Sequence, residues 1–318
     1  MRVLVAGATG AVGRALVPVL QRRGHEVFGT TRKPNNARVL HDIGAEPVIM
    51  DGLNRPDVLD AVRKVQPEAI VHQMTALANA PDLKHLDRDF APTNRLRTEG
   101  ADSLIAAARE VGTARFIAQS FTGWPNAREG GPIKSESDPL DPTPPRQMMR
   151  TLAAIRELES KVLAVGGMAA IALRYGAFYG PGTSFSVDGD VVEMVRQRKL
   201  PVVGGGGGVW SFVHIDDVAA ATALAVEGGP SGIYNIVDDD PVPVSVWLPE
   251  LARILGAKPP LHLPAWIARL FIGEAGVSMM TRIRGSTNDK AKRLLAWTPA
   301  YRSWREGFRR ELSRPVAA

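Results

Sequence analysis

The 318-residue chain contains no cysteine, which excludes disulfides, thiolate nucleophiles and cysteine metal sites. Histidine is sparse as well. Six are present, His25, His41, His72, His85, His214 and His262, with no metal-ligand spacing among them, so no metal is expected. No uninterrupted apolar run approaches the ~20 residues needed to cross a bilayer. No charged leader with an apolar signal core precedes the first strand-like run, RVLVAG. These absences set the expectation of a cytoplasmic protein without a membrane partner. Basic residues exceed acidic ones, 39 to 33, for a net charge of +6. They are scattered rather than clustered, so nucleic acid is not expected as a partner, whereas an anionic small ligand such as a dinucleotide is. The chain has no G-x-S-x-G elbow, so the run HIDD at 214–217 does not imply a charge relay.

Short β-branched runs are present and alternate with helical patterns through the first 180 residues. VLVAG, EVFGTT, PVIMD, AIVHQM, RFIAQS and AAIALRYG read as strands. GRALVPVLQRRG, PDVLDAVRKV and RLRTEGADSLIAAAREVG carry apolar residues at helical spacing between them. Parallel strands need crossover connections, so this alternation predicts an α/β fold: a Rossmann-type, doubly wound parallel sheet with helices on both faces. Residues 1–176 are expected to be mainly the dinucleotide-binding domain. Residues 177–318 are expected to be mainly a smaller substrate-binding part that returns strand and helix segments to the first. The polar, proline-rich stretch NAREGGPIKSESDPLDPTPP at 126–145 reads as a mobile loop over the site. VDGDVVEMVRQRKL and PAWIARLFIGEAG read as helices of the substrate-covering part, and GGGGG at 204–208 as a flexible turn.

GATGAVGRALV places Gly7, Gly10 and Gly13 after a strand and at the start of a helix. Glycines at this spacing allow a tight turn and close approach of backbone to a pyrophosphate, which then meets the helix N-terminus. Thr9, Ala11 and Val12 complete the loop. The second strand ends FGTTRKP, where an acidic residue would hold the ribose hydroxyls of NAD. Arg32 and Lys33 stand there instead, a cationic pair suited to a 2′-phosphate, so NADP(H) is expected in preference to NAD(H). Asp51, followed by Gly52 at the end of the third strand, is placed to meet the adenine amino group.

Beyond that loop, several segments resemble the extended short-chain dehydrogenase/reductase family, which includes nucleotide-sugar epimerases and dehydratases. GATGAVG is similar to its glycine motif, and IVHQMTA, with Gln73, Met74 and Thr75, to the segment lining the cofactor. Asn94 matches the asparagine of the central helix. RFIAQSFTGW resembles the strand that carries a catalytic serine or threonine. LRYGAFYGPG, SFVHIDDVAAA and AKRLLAWTPAYRSWREGF are further family-like segments. The resemblance implies cofactor contacts from Gln73, Met74, Thr75, Asn94 and Tyr175. It implies a catalytic role for Ser120 with Thr122 in reserve, and substrate contacts from Met149, Ala177, Phe178, Trp210 and His214.

Three departures bear on function. The family's tyrosine and lysine lie four residues apart with a glutamate four further on. Anchoring that frame on Glu157 puts Met149 and Ala153 at those places, and none of the four tyrosines has a lysine four residues on. Glu157 and Glu159 are expected to solvate the outer face of their helix. Nucleotide-sugar enzymes also commonly carry an asparagine where Ala177 stands and an arginine where Trp210 stands. Neither replacement can hold a diphosphate. The sequence therefore predicts an NADPH-dependent, ketoreductase-like reductase of a small, fairly apolar carbonyl or aromatic compound. Ser120 would polarise the substrate, and the proton would come from water or from the substrate itself. Rival readings are a non-catalytic NADP-binding sensor and an NAD-dependent sugar epimerase or dehydratase. A homodimer is the expected assembly.

Overall fold

The computed structural model describes residues 1–77 and 81–312. Its centre is a parallel sheet of seven strands: β1 (Arg2–Ala6), β2 (Glu26–Thr31), β3 (Glu46–Ile49), β4 (Ala69–His72), β5 (Arg115–Phe121), β6 (Ala169–Tyr175) and β7 (Gly232–Ile236). They lie side by side in the order β7-β6-β5-β4-β1-β2-β3. This is the doubly wound Rossmann arrangement that the alternating pattern predicts. Because every pairing in the sheet is parallel, all carboxyl ends emerge at one edge. Gly7, Thr31, Asp51, Gln73, Ser120 and Tyr175 are gathered there from six separate strands.

Helices cover both faces because the strands are apolar on both. On one side α1 (Ala11–Arg22) and α5 (Ile215–Glu227) bury Leu16, Leu20, Val218 and Val226 against Val3, Val5 and Ile171. On the other, α2 (Arg55–Val65), α3 (Ala101–Val111) and α4 (Met149–Ala164) bury Val62, Leu104 and Leu158 against Leu4, Ile70 and Phe116. A third core, rich in aromatics, holds Phe185, Phe212, Trp247, Trp304 and Phe308 together beyond the sheet. Among the described residues, no helix is long and apolar enough to cross a membrane.

Two segments differ from the sequence-based expectation. The run around Asn94 is not one regular helix. A short α-helical stretch, Ala91–Arg95, passes into a wider π turn at Leu96–Gly100 before α3 begins. The polar loop at 126–145 is tied down rather than loose. Asp141 pairs with Arg128 at 2.8 Å, the Ala127 amide donates to the Pro139 carbonyl and the Asp141 amide to that of Pro125, and Ile133–Lys134 pairs with Gly285–Ser286. Proline and polar residues removed the strand pattern there without removing the hydrogen bonds.

Glu159 is the clearest correction. It does not solvate α4. It is 4% exposed, and both its oxygens accept from Arg174 of β6 at 2.7 Å. Glu157, two residues earlier on the helix, is the exposed one and pairs with Lys161 at 2.6 Å. Breaking a buried ion pair from one side leaves a charge without compensation. Glu159→Leu should therefore lower the unfolding free energy by about 3–5 kcal/mol in chemical denaturation. Glu159→Leu with Arg174→Leu should regain most of that loss, and equal stability of the single and double variants would contradict it.

Candidate active site

The loop after β1 is shaped for a dinucleotide. A Cβ on Gly7 (φ +91°) would lie 2.7 Å from the Gln73 carbonyl oxygen, and one on Gly13 would lie 2.5 Å from the Ala8 backbone. Gly10 occupies the N-cap of α1 and supplies no capping side chain, so the first amides of the helix stay open to an anion. Thr9 helps set the loop, its carbonyl accepting from Arg14 Nε at 2.9 Å. Ala11 is partly buried and Val12 fully buried beneath the loop. Arg32 and Lys33 follow β2 as exposed side chains with no partner among the described residues. Asp51 accepts from the Leu53 amide at 3.0 Å, and Gly52 is pressed by Met74, whose Sδ would lie 2.4 Å from a Cβ there. Thr75 is exposed beside it. The cradle would hold the pyrophosphate of a nicotinamide dinucleotide at the α1 amides.

Behind this cradle is a buried polar stitch. Gln73 Nε2 donates to the Tyr175 hydroxyl at 2.9 Å, and that hydroxyl lies 2.8 Å from Thr222 Oγ1, which itself donates to the Val218 carbonyl. Burial pushes the Tyr175 phenol up to about 12. Tyr175 thus ties β4, β6 and α5 together and cannot act as an acid near neutrality. His72 is also structural. Its Nε2 lies 3.0 Å from the Leu96 carbonyl, and burial lowers its pKa to about 4, so it is neutral. Asn94 is oriented by protein groups, donating from Nδ2 to Thr151 Oγ1 at 3.1 Å and accepting from Arg97 at Oδ1.

The hydroxyls assigned to catalysis are already engaged. Ser120 is fully buried and donates to Glu159 Oε1 at 2.7 Å. Thr122 is buried against Asn126 and Ser286 and bonds to both. Neither is free to polarise a substrate in this arrangement. The same buried glutamate fixes which side of α4 faces inward: Thr151, Leu152, Ile155 and Glu159 are buried, whereas Met149 and Ala153 are exposed. Met149, 55% exposed, is therefore not a pocket wall here. Met148 is the methionine that turns in, packing with Leu86, Phe90 and Ala275. Four and eight residues before Glu159 stand Ile155 and Thr151, and neither is an acid. Thr151 Oγ1 donates to Asp87 at 2.6 Å.

The remaining substrate-side positions divide. Ala177 and Phe178, half-buried, lie on a short strand paired with Phe212–His214. Trp210 is half-buried in the third core, 5.2 Å from Trp247 between ring centroids, and its indole donates to the Met279 carbonyl at 3.0 Å. His214 is corrected from a substrate contact to a helix cap. It is 1% exposed, accepts from the Asp216 amide at 3.1 Å and stacks on Tyr301 at 3.8 Å. Gly180 leaves room for that ring, since a Cβ there would meet it at 2.6 Å.

Three features are not evident from the sequence. Arg97 is buried beside Asn94, with its guanidinium over the rings of Phe90 and Phe121. Phe121 directly follows Ser120 and is half-buried at the end of β5. A small apolar cluster of Leu77, Leu83, Phe90, Trp124, Met148 and Met279 adjoins them. A cation on the same helical stripe as Ala101, Leu104 and Ala108 was the available signal for Arg97.

A family model described as NAD dependent epimerase/dehydratase family matches residues 3–237. The chain is 42% identical, over 312 residues, to the 3-diazoavenalumate denitrifying reductase of a Streptomyces species, covering 98% of this chain and 100% of that one. It is 26% identical over 261 residues to the 4-hydroxy-2-methyl-3-oxo-4-farnesyl-3,4-dihydroquinoline-1-oxide ketoreductase of Stigmatella aurantiaca, covering 81% and 74%. Two solved structures share the fold. UDP-glucose 4-epimerase of Thermus thermophilus with NAD has a TM-score of 0.75 at 24% identity, covering 98% of each chain. A human epimerase family protein with NADPH has a TM-score of 0.76 at 18% identity, covering 99% of this chain and 100% of that one.

The buried serine yields a direct expectation. Ser120→Ala should cost about 1.5–3 kcal/mol of stability, the worth of a hydrogen bond to a charged group. Its turnover should stay well above the ~10²-fold loss that marks removal of a general acid or base. Single-turnover cofactor oxidation checks this, and a loss of that size with the fold intact would return Ser120 to catalysis.

Proposed function

The chain belongs to the NAD dependent epimerase/dehydratase family, and within it we propose an NADPH-dependent reductase of a small aromatic diazo compound that takes no proton from the protein. The observation that carries this reading is the inward face of α4. Counted back from the buried Glu159 instead of Glu157, the tyrosine and lysine places of the frame hold Thr151 and Ile155, while Ser120 and Thr122 are bonded within the protein. A reduced nicotinamide, when bound, supplies a hydride, and an aryl diazonium that takes it up releases N2 and keeps that hydrogen on the ring. The balance needs no protein acid. The 42% identical relative, whose name gives a diazo substrate and a denitrifying reduction, supports the same chemistry.

The chain's own part is to bind, orient and exclude water. The open amides of α1 hold the pyrophosphate, and Arg32 and Lys33, without partners among the described residues, suit a 2′-phosphate. The apolar cluster of Leu77, Phe90, Trp124 and Met279 provides a wall for a flat ring. A carbonyl substrate is the second reading, supported by the ketoreductase relative; its alkoxide would take a proton from water or from the substrate. A nucleotide sugar fits poorly, because Ala177 offers no donor and the Trp210 indole is engaged with Met279.

Two measurements test the proposal. An aryl diazonium acid incubated with NADPH should give one N2 per cofactor oxidised. Oxidation by aryl ketones alone would transfer the case to the second reading, and tight cofactor binding with neither reaction would favour a sensor. Wild type should also prefer NADPH to NADH, and Arg32→Ala should reduce that preference by roughly 10- to 100-fold, the worth of a charged hydrogen bond. Equal affinity of wild type for both cofactors would remove the 2′-phosphate assignment.

A further inference from the structure

Arg97 is 3% exposed, yet no carboxylate of the described residues pairs with it. Three other buried charges are compensated: Glu159 by Arg174, Asp141 by Arg128 and Lys134 by Asp138. Arg97 donates from Nη1 to Asn94 Oδ1 at 3.1 Å, and its buried Nη2 has no acceptor. The Asn94 amide cannot turn to offer more, since its Nδ2 is held by Thr151 at 3.1 Å and Thr151 by Asp87. Desolvation lowers the guanidinium pKa to about 10, so it remains charged at neutral pH. A buried cation without an anion is costly, and a structural role would ordinarily bring a carboxylate with it.

Its place in the fold supplies the reason. Arg97 sits in the π turn Leu96–Gly100, and such turns are frequent at functional sites. The preceding carbonyl, that of Leu96, meets His72 at the carboxyl end of β4. The guanidinium lies 5.3 Å from the ring centroid of Phe121, at the carboxyl end of β5, and 5.6 Å from that of Phe90. Ligands of open α/β sheets occupy this edge. Phe90 continues into the apolar cluster with Trp124 and Met148. The result is a packed apolar cluster set against a guanidinium edge with no partner among the described residues.

We propose that Arg97 is the anchor for an anionic oxygen carried by an aromatic substrate, with the Phe90 and Phe121 rings as flanking walls. The proposal rests on the reading that this site takes an aromatic compound, and it adds the charge that compound must bear. A carboxylate or ring oxide would fill the free Nη2 edge with a charge-assisted hydrogen bond, for which the planar guanidinium is suited. Phe121, the half-buried wall, is the ring that an entering ligand would displace.

The test reads binding, not turnover, so it is independent of which group is reduced. Full-length protein saturated with NADP⁺ is titrated calorimetrically with two pairs of flat ligands. One pair is 2-naphthoate and its methyl ester; the other is pentafluorophenolate and pentafluoroanisole. At least one anion should bind about 10-fold or more tightly than its neutral partner. Whichever pair discriminates identifies carboxylate or ring oxide. Arg97→Gln should abolish the discrimination with NADP⁺ affinity retained, and Arg97→Lys should keep part of it. Where Arg97→Gln fails to fold, Arg97→Lys decides: reduced discrimination supports the assignment, and unchanged discrimination overturns it. Equal binding within both pairs, no binding by either anion, or discrimination that survives in Arg97→Gln would each overturn the proposal.

Discussion

The carboxylate of Glu159 buried against the guanidinium of Arg174 fixes the rotation of α4 on the sheet. A helix presents residues three and four apart on one side. Holding Glu159 inward therefore brings Ile155, Leu152, Thr151 and Met148 inward and turns Met149 and Ala153 to solvent. The same carboxylate accepts the hydrogen bond of the Ser120 hydroxyl. One ion pair thus decides which side chains of α4 turn inward and engages the serine hydroxyl.

At the strand ends, several polar groups are held in bonds within the protein. Thr151 is linked to Asp87 and Asn94, Tyr175 is held between Gln73 and Thr222, and His72 is kept neutral by burial. Arg97, with no carboxylate partner among the described residues, is a cation among aromatic rings. A site with a hydride source, an apolar wall and a fixed positive charge suits a substrate that is already electrophilic and carries its own anion. It is ill suited to one that must be protonated by the enzyme.

Much of this was legible in the residues. The order of strands and helices followed from their hydrophobic periods, and the glycine loop from spacing that only close backbone contacts require, as Gly7 and Gly13 show. The inward face of α4 was misread because two glutamates two residues apart compete for it, and local composition favours solvating both. The stripe Leu152, Ile155, Leu158, Val162 contains the answer, since Glu159 lies four residues from Ile155 on that stripe. His214 and Arg97 were harder. Their roles depend on Tyr301, on Phe121 and on a π turn, contacts between segments distant in sequence or a local change of helical period.

The pH and solvent-isotope dependence of single-turnover cofactor oxidation, with saturating aryl diazonium acid, tests the absence of a protein proton donor most directly. The account predicts a rate level from about pH 6 to 9 and unchanged in D2O, because no titrating side chain gives up a proton in the step. A limb in that range that persists when the substrate's own ionisation is blocked, together with a slower rate in D2O, would contradict it.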